Sequence, residues 1–299
     1  MTAFFNFPTT LAHRDGARAT PKTKLTLEVR SKQPPVVRNA PPILFVHGAW
    51  HAAWCWDEHF LDYFAANGYA VHALSLRGHG ESGGRAGLRF HRIRDYVDDV
   101  AAVAAMLQET PVLIGHSMGG FVVQKYLETR SSPAAFLMAS VPPTGAWPMF
   151  ARLVHDRPFD VLIGNATLSL YPIISDPAKA HELLFPSSMP REKVVRYHSL
   201  LQGESLLSYL DCLAFDLIAT ARVASPIAVY GASDDAVIKP KDVVTTAHAY
   251  AVRPVFFENV AHDMMLDTRW RTVADAIIAE LEARFPERHG VASRERAAA

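Results

Sequence analysis

A chain of 299 residues is long enough to bury a sizeable core, either as one large α/β unit or as two smaller domains. Hydrophobic residues make up 49% and charged residues 20%, a balance that excludes an intrinsically disordered chain. Thirty Lys and Arg offset thirty Asp and Glu, so no overall field favours a nucleic-acid partner.

Cysteine usage and hydropathy predict the cellular setting. Cys55 and Cys212 are the only cysteines, and they stand far apart without metal-ligand or redox spacing, so we expect no disulfide framework. The N-terminus lacks the basic start, apolar stretch and cleavage site of a secretory signal. No apolar run reaches the roughly 18 residues of a spanning helix. We therefore expect a cytoplasmic protein with no membrane span.

Short apolar runs that end in turn signals recur along the chain, with helix-length segments between them. This rhythm predicts βαβ units and a mostly parallel sheet with helices on both faces. The predicted strands are residues 43–46, 70–75, 112–114, 135–139, 227–230 and 255–257, with an earlier strand pair around residues 24–30. The predicted helices are residues 56–67, 95–108, 119–129 and 269–284.

The stretch from Pro142 to about Val223 breaks this rhythm, because it holds helix-like segments and many prolines but no convincing strand. It predicts an inserted helical cap over residues 143–222, with an α/β core formed by residues 25–142 and 223–285. Residues 1–24 begin with a stretch that shows no periodicity as far as Pro21, and residues 286–299 are polar and alanine-rich, so both are predicted to be mobile termini. Apolar cap residues either wall an acyl or aryl pocket or pack the cap on the core. They are Met149, Phe150, Phe159, Leu162, Leu168, Leu170, Tyr171, Phe185, Met189 and Leu206.

A candidate nucleophile lies directly after the predicted strand at residues 112–114. Gly115-His116-Ser117-Met118-Gly119 has the form G-x-S-x-G and opens the predicted helix at residues 119–129. A sharp strand-to-helix turn holds its serine in a strained backbone conformation, and only small flanking residues avoid collision. The turn presents Ser117 Oγ above the sheet, over the helix N-terminus. We therefore predict that Ser117 is a nucleophile.

A serine hydroxyl is a weak nucleophile at neutral pH and needs a base within hydrogen-bond reach. His262 follows the last predicted strand, on a loop at the carboxyl end of that strand. An acid that orients this base is expected after the strand at residues 227–230, where Asp234 and Asp235 both stand. The Val-Ile-x-Pro pattern that follows favours Asp235, whereas counting three residues from Gly231 favours Asp234.

The turn after the strand at residues 43–46 supplies half of a candidate oxyanion hole. His47-Gly48 ends this strand, and a glycine there lets the backbone turn so that an N–H faces the serine. We predict that the backbone N–H groups of Ala49 and Met118 bind the negative charge that develops on the substrate.

Two neighbouring side chains, Trp50 and His116, are predicted to contact the substrate. A metal site at His47 and His51 is a weaker alternative, because no carboxylate or third histidine stands at a helpful spacing. We therefore expect neither a metal nor any other cofactor.

Taken in chain order, these landmarks resemble the α/β-hydrolase superfamily over about residues 25–285. They are His47-Gly48, the Gly78-His79-Gly80-Glu81-Ser82 turn, the serine motif, and Asp235 with His262. The order serine, acid, histidine is the one that this superfamily uses, and it separates His262 from the other members of a set of 14 histidines. The resemblance implies a mostly parallel, doubly wound sheet with an inserted helical cap. It also makes the turn at residues 78–82 a structural feature close to the site.

A shorter stretch, His47-Gly48-Ala49-Trp50-His51-Ala52-Ala53-Trp54, is similar to the His-Gly-Ala-x-His-Gly-Ala-Trp stretch of plant methylesterases and hydroxynitrile lyases, with Ala52 where they carry glycine. Haloalkane dehalogenases and epoxide hydrolases of this fold use an aspartate nucleophile, so Ser117 argues against both. The resemblance implies ester hydrolysis more often than any other reaction.

The sequence therefore predicts a carboxylesterase-type serine hydrolase that acts on a small ester with an apolar acyl or aryl part. The predicted mechanism passes through an acyl-enzyme and requires no cofactor. A lactonase, a carbon–carbon bond hydrolase or a hydroxynitrile lyase on the same residues is an alternative. A ligand receptor that keeps the fold without catalysis is another, which an intact triad weakens.

Overall fold

The computed structural model describes residues 1–7, 25–167 and 169–286. Eight of the described segments form one sheet, in the order β1-β2-β4-β3-β5-β6-β7-β8. The strands are β1 Thr2–Phe7, β2 Leu25–Lys32, β3 Ile43–Val46, β4 Val71–Leu74, β5 Val112–His116, β6 Ala135–Met138, β7 Ile227–Ala232 and β8 Val255–Phe257. β1 and β2 pair antiparallel with their neighbours, and the other pairs are parallel. The predicted mostly parallel α/β sheet is confirmed.

The first strand corrects the sequence prediction for the N-terminus. Thr2–Phe7 pairs with β2 along its whole length, whereas these residues were predicted to be mobile. The predicted strand pair near residues 24–30 is a single strand, and β1 is its partner. A six-residue segment shows little periodicity, and it becomes a strand through contacts with β2. The remaining terminal predictions fall on residues 8–24 and 287–299, which lie outside the described residues.

The described α-helices, in chain order, are α1 Trp54–Asp57, α2 Phe60–Ala66, α3 Ile93–Ala104, α4 Met118–Leu127, α5 Trp147–Asp156, α6 Pro158–Thr167, α7 Pro177–Leu184, α8 Arg191–His198, α9 Leu206–Leu210, α10 Pro240–Ala249 and α11 Trp270–Arg284. The predicted helix at residues 56–67 is two helices, because the backbone of His59 is not helical. The His59 ring stacks on Trp270 instead, with ring centroids 4.7 Å apart.

Helix α3 illustrates how the sheet is covered. The carboxylate of Asp95 accepts the N–H of Arg92 at 2.7 Å and so caps the first turn. Apolar side chains then recur every three or four residues on one face, which is buried. They are Ile93, Tyr96, Val97, Val100 and Val103. Full burial of one large apolar side chain contributes about 1.5–3 kcal/mol, so this face holds the helix on the sheet.

The segment between β6 and β7 carries helices α5 to α9 and, among its described residues, no strand. Arg92 of the core binds this segment through Asp211. The two carboxylate oxygens of Asp211 accept the Nε–H of Arg92 at 2.9 and 2.7 Å. A second tie joins the N–H of Asp263 to the Leu184 carbonyl at 2.9 Å. The residues predicted as a cap are thus helical and are bound to the core at both points.

None of the described helices is both long and apolar enough to cross a membrane.

Parallel pairing decides where the functional loops lie. The carboxyl ends of β3, β5, β7 and β8 meet at one edge of the sheet, so the loops that follow these strands come together there. β3 and β5 are buried along their full length, which fixes the starting points of two of these loops.

Candidate active site

Ser117 stands at the turn between β5 and α4 with φ 53° and ψ −120°, a conformation that a non-glycine residue rarely adopts. Its N–H donates to the Met138 carbonyl at 3.0 Å, which holds the turn against the neighbouring strand. A Cβ on Gly119 would collide with the His47 carbonyl oxygen, so the helix can begin this close to β3 only with glycine there. The strain predicted for this turn is present.

The loop after β3 approaches Ser117 closely. A Cβ on Gly48 would come within 2.9 Å of Ser117 Cβ and of His116 Nδ1, so only glycine fits at this approach. Ala49 and Met118 both line the cavity that Ser117 faces. Among the hydrogen bonds of the described residues, neither the Ala49 N–H nor the Met118 N–H has an acceptor. Both groups therefore remain free to donate to a substrate oxygen, as an oxyanion hole requires of its donors.

His262 connects the serine to the acid loop. Its Nε2 lies 3.1 Å from Ser117 Oγ, and its Nδ1 lies 2.8 Å from Asp235 Oδ2. The ring is buried, and burial acts to lower the pKa of His262. The charge and hydrogen bond of Asp235, with a further contribution from Asp263, outweigh burial and raise that pKa above its ordinary 6.5. The nitrogen that faces Ser117 Oγ thus belongs to a ring of raised proton affinity.

The two aspartates that the sequence left open have different surroundings. Asp235 is buried, and its Oδ1 accepts the N–H groups of Val237 and Ile238 at 2.7 and 2.8 Å. Asp234 is exposed, and its Oδ1 accepts the Ser233 hydroxyl at 2.7 Å. The structure therefore brings Asp235, and not Asp234, to His262.

A cavity of about 870 Å³, counted out to its mouth, opens over Ser117. Its core side includes Ala49, Trp50 and Met118, and its other side comes from the inserted helices. Apolar side chains of that insertion make up much of the wall; they are Met149, Leu153, Leu170, Ile173 and Leu183.

The apolar cap residues named from the sequence divide into three groups. Met149 and Leu170 line this cavity, while Phe150 and Leu206 line a smaller neighbouring one. Phe159 and Leu162 are exposed, by 76% and 66%, and belong to neither wall. Three residues pack in the interior, fully or in part: Tyr171, Phe185 and Met189. Leu168 lies outside the described residues.

Of the two predicted substrate contacts, only Trp50 lies at the cavity, where it has φ 66°. His116 is not at the cavity wall, which corrects the prediction. Its buried Nε2 donates to the His262 carbonyl at 2.9 Å, and burial lowers the pKa of His116 to about 3. The ring is therefore neutral and helps to hold the His262 loop. Adjacency to Ser117 suggested substrate contact, but the side chain before the turn faces the protein interior.

A comparison with protein families decides the classification. The model of the alpha/beta hydrolase family matches residues 43–276, which spans the strands from β3 to β8 and the start of α11. The chain belongs to the alpha/beta hydrolase family. The predicted resemblance to this superfamily is confirmed.

Relatives of this alpha/beta hydrolase carry several names. It is 37% identical over 112 residues to a non-heme chloroperoxidase of Burkholderia pyrrocinia, an alignment that covers 36% of this chain and 39% of the relative. It is 30% identical over 113 residues to methylesterase 3 of Arabidopsis thaliana, covering 36% of this chain and 43% of the relative. The chain thus spans about two fifths of these relatives.

The fold match covers far more of the chain. A thermophilic esterase from Thermogutta terrifontis superimposes with a TM-score of 0.66 over 95% of this chain and 99% of the esterase, at 18% identity. At that identity the likeness shows the fold of the alpha/beta hydrolase and nothing further.

Sequence analysis missed two buried carboxylates beside the site, Glu204 and Asp263. Glu204 lines the cavity. Its Oε2 lies 3.1 Å from His79 Nε2 and 3.4 Å from the backbone nitrogen of Trp50. Burial acts to raise the pKa of Glu204, but the charge and hydrogen bond of His79 prevail and lower it. Asp263 follows His262 directly, which was the one signal available. Nothing in the sequence around Glu204 distinguishes it from a solvated acid.

The weaker metal alternative at His47 and His51 does not fit this alpha/beta hydrolase, because all four ring nitrogens already contact protein groups. The nitrogens of His51 contact the Ala49 carbonyl and the Asp263 carboxylate. His47 Nδ1 lies 2.8 Å from the Gly48 carbonyl, and its Nε2 accepts the Leu76 N–H at 3.0 Å. Donor atoms of His116, His262 and Asp263 do lie within 4.8 Å of one another. Both nitrogens of His262 already contact Ser117 and Asp235, so an ion there would compete with that arrangement.

Proposed function

We propose that this alpha/beta hydrolase cleaves carboxylic esters as a serine hydrolase, with Ser117 as nucleophile, His262 as base and Asp235 as the orienting acid. The observation that carries the proposal is the continuous chain of hydrogen bonds from Asp235 Oδ2 through both ring nitrogens of His262 to Ser117 Oγ, at 2.8 and 3.1 Å. The esterase names of relatives agree with it.

The first half of the reaction forms an acyl-enzyme. Ser117 Oγ attacks the ester carbonyl carbon while its proton passes to His262 Nε2. The carbonyl oxygen becomes an oxyanion, which the N–H groups of Ala49 and Met118 stabilise. The tetrahedral intermediate then collapses, and His262 returns the proton to the departing alkoxide. Asp235 keeps the proton of His262 on Nδ1 and stabilises the imidazolium without taking that proton.

The second half repeats these steps with water. Water attacks the acyl carbon and gives its proton to His262, the carbon–oxygen bond to Ser117 breaks, and Ser117 recovers the proton. The carboxylic acid leaves. No step needs a cofactor, and the product pair is one acid and one alcohol.

The apolar cavity favours an apolar acyl or aryl substituent on the substrate. The guanidinium groups at its wall have partners: Arg152 binds Asp242, and Arg157 binds Glu182. Nη1 of Arg152 has no hydrogen-bond partner, but the carboxylates of Asp156 and Glu204 line the same cavity, so an anionic substituent would meet no net positive charge there. We therefore propose an uncharged ester of small to moderate size as substrate.

A panel of p-nitrophenyl esters tests this proposal. We expect kcat/KM to rise from acetate to butyrate and hexanoate, because each buried methylene contributes about 0.8 kcal/mol. A succinyl half-ester should react at least about tenfold more slowly than butyrate. Leu153→Ala, at the cavity wall, should lose this length preference, whereas Leu162→Ala, on the exposed face of α6, should keep it.

Hydrolysis that ignores acyl length, or a preference for the anionic ester, would contradict the substrate assignment. Peroxide-dependent halide oxidation is measured beside it, since one relative is named a chloroperoxidase. Halide oxidation without any ester hydrolysis would overturn the esterase proposal itself.

The pH dependence of kcat/KM should show an acid limb that reports His262. Protonation of Nε2 removes the lone pair that accepts the Ser117 proton, so activity is present above the pKa of His262 and lost below it. Because Asp235 and Asp263 raise this pKa, the limb should lie above the ordinary 6.5. Initial rates between about pH 5 and pH 9 measure it. A profile that stays flat across this range would identify a different base.

A further inference from the structure

The oxyanion loop, residues 47–50, carries the proposed donor Ala49 after β3. Two buried histidines, His47 and His51, bind consecutive backbone carbonyls of this loop. The peptide that joins Gly48 to Ala49 carries the proposed oxyanion N–H at one end and the Gly48 carbonyl at the other. His47 Nδ1 binds that carbonyl at 2.8 Å, which fixes the direction of the N–H. The next carbonyl, that of Ala49, accepts from His51 Nδ1 at 2.8 Å. Trp50, in its positive φ, completes the constrained turn.

His51 also reaches the loop that carries His262. Its Nε2 lies 3.0 Å from Asp263 Oδ2, and both side chains are almost completely buried, at 1% and 0% exposure. Both nitrogens of His51 face oxygen acceptors. The Ala49 carbonyl can only accept, so Nδ1 donates to it and Nε2 is the nitrogen that pairs with the Asp263 carboxylate.

The surroundings of Asp263 favour this ion pair. Burial acts to raise the pKa of Asp263, but the charge and hydrogen bond of His51, with a smaller contribution from His262, lower it. A buried carboxylate without such a partner would cost several kcal/mol, so each member of the pair holds the other in place. A further hydrogen bond of Asp263, from its N–H to the Leu184 carbonyl, joins the same loop to helix α7.

We infer that His51 and Asp263 are positioning residues that couple the oxyanion loop to the His262 loop. The inference rests on the proposed serine-hydrolase function. In the proposed mechanism Ala49 binds the carbonyl oxygen while His262 accepts the proton of the attacking serine, and the His51–Asp263 pair spans the two loops with one ion pair and one hydrogen bond. Catalysis is sensitive to displacements of about 1 Å between such groups. The ion pair therefore sets the distance between the oxyanion donor and the base.

The test is a double-mutant cycle with His51→Gln, Asp263→Asn and the double variant, measured on p-nitrophenyl butyrate. Each single variant should lose about 10- to 100-fold in kcat, because the displaced groups act in the transition state. KM should stay within about threefold, since neither side chain lines the cavity. The double variant should be no slower than the slower single variant, because either change breaks the same coupling.

Controls separate positioning from stability. His72→Gln removes a half-buried histidine that binds Ser31 Oγ at 2.8 Å, away from the site, and should leave kcat unchanged. Active sites are counted by end-point labelling of Ser117 with a fluorophosphonate, so kcat refers to folded enzyme. If a single variant does not fold, the double variant replaces the ion pair with two neutral amides, a change that is often neutral for stability.

The outcomes separate this inference from the proposed function. Wild-type protein without turnover that depends on Ser117 would overturn the proposed function and the coupling with it. Wild-type turnover that depends on Ser117, together with unchanged kcat per labelled site in His51→Gln, Asp263→Asn or the double variant, would overturn the coupling alone. Additive losses in the cycle would also overturn it, because independent effects add.

Discussion

Replacement of Ser117 by alanine is expected to lower kcat for ester hydrolysis by about 10⁵- to 10⁶-fold while the protein folds normally. The hydroxyl contacts His262, and its loss leaves the substrate carbonyl without a nucleophile. The backbone bonds of the turn do not involve the side chain. The Ser117 N–H still donates to Met138, and its carbonyl still accepts from Gly120 at 3.0 Å and Val141 at 3.2 Å.

Turnover of p-nitrophenyl butyrate, thermal unfolding and fluorophosphonate labelling measure this prediction. Ser132→Ala is the matched control, because it removes another buried serine hydroxyl, one that donates to the Pro111 carbonyl at 2.8 Å. The control is expected to lose stability, because that hydrogen bond is lost, but to keep kcat and labelling. Activity near the wild-type value in folded Ser117→Ala protein would end the serine-hydrolase proposal, and labelling of that variant would locate the reactive group elsewhere.

The core strands were predictable because each is a short apolar run that is buried on both faces. The predicted bounds of β3 and β8 match the structure, and those of the strands between them differ by one or two residues. β1 was missed because its six residues become a strand only by pairing with β2. α10 was missed because Pro240 was assigned to the Val-Ile-x-Pro pattern of the acid loop and not to a helix. Proline instead occupies the first helical position, where its missing N–H costs nothing.

The candidate site was predictable to the extent that it follows from strand ends. Ser117, Asp235 and His262 each stand after a parallel strand, and strand direction alone brings such loops together. The partners of the buried histidines were not predictable. Glu204 contacts the backbone nitrogen of Trp50, which stands 154 residues earlier in the sequence. Glu204 belongs to the inserted helices, and no sequence pattern fixes how such helices pack against the sheet. Side-chain direction was also hidden, which is why His116 was placed at the substrate.

Replacement of Asp235, the acid of the proposed triad, is the other change with a large expected effect on kcat. Asp235→Asn should lower kcat by about 10⁴-fold, because an asparagine amide no longer fixes the imidazole tautomer that accepts the Ser117 proton. The Val237 and Ile238 N–H groups can still donate to the amide oxygen, so the loop should keep its shape. Asp234→Asn is the matched control. It changes an exposed side chain whose one side-chain partner is the neighbouring Ser233 hydroxyl, and its kcat should stay within about tenfold of wild type.

The pH profile distinguishes loss of the acid from general damage to the loop. Asp235 is the largest of the influences that raise the pKa of His262, and burial opposes it. Without the carboxylate, burial prevails and the acid limb of the residual kcat/KM should move to lower pH, whereas Asp234→Asn should leave the limb in place. The reverse pattern, with Asp234→Asn crippled and Asp235→Asn active, would assign the acid to Asp234. If both variants stay active with unshifted limbs, the neighbouring Asp263 or another carboxylate must supply the charge that orients His262.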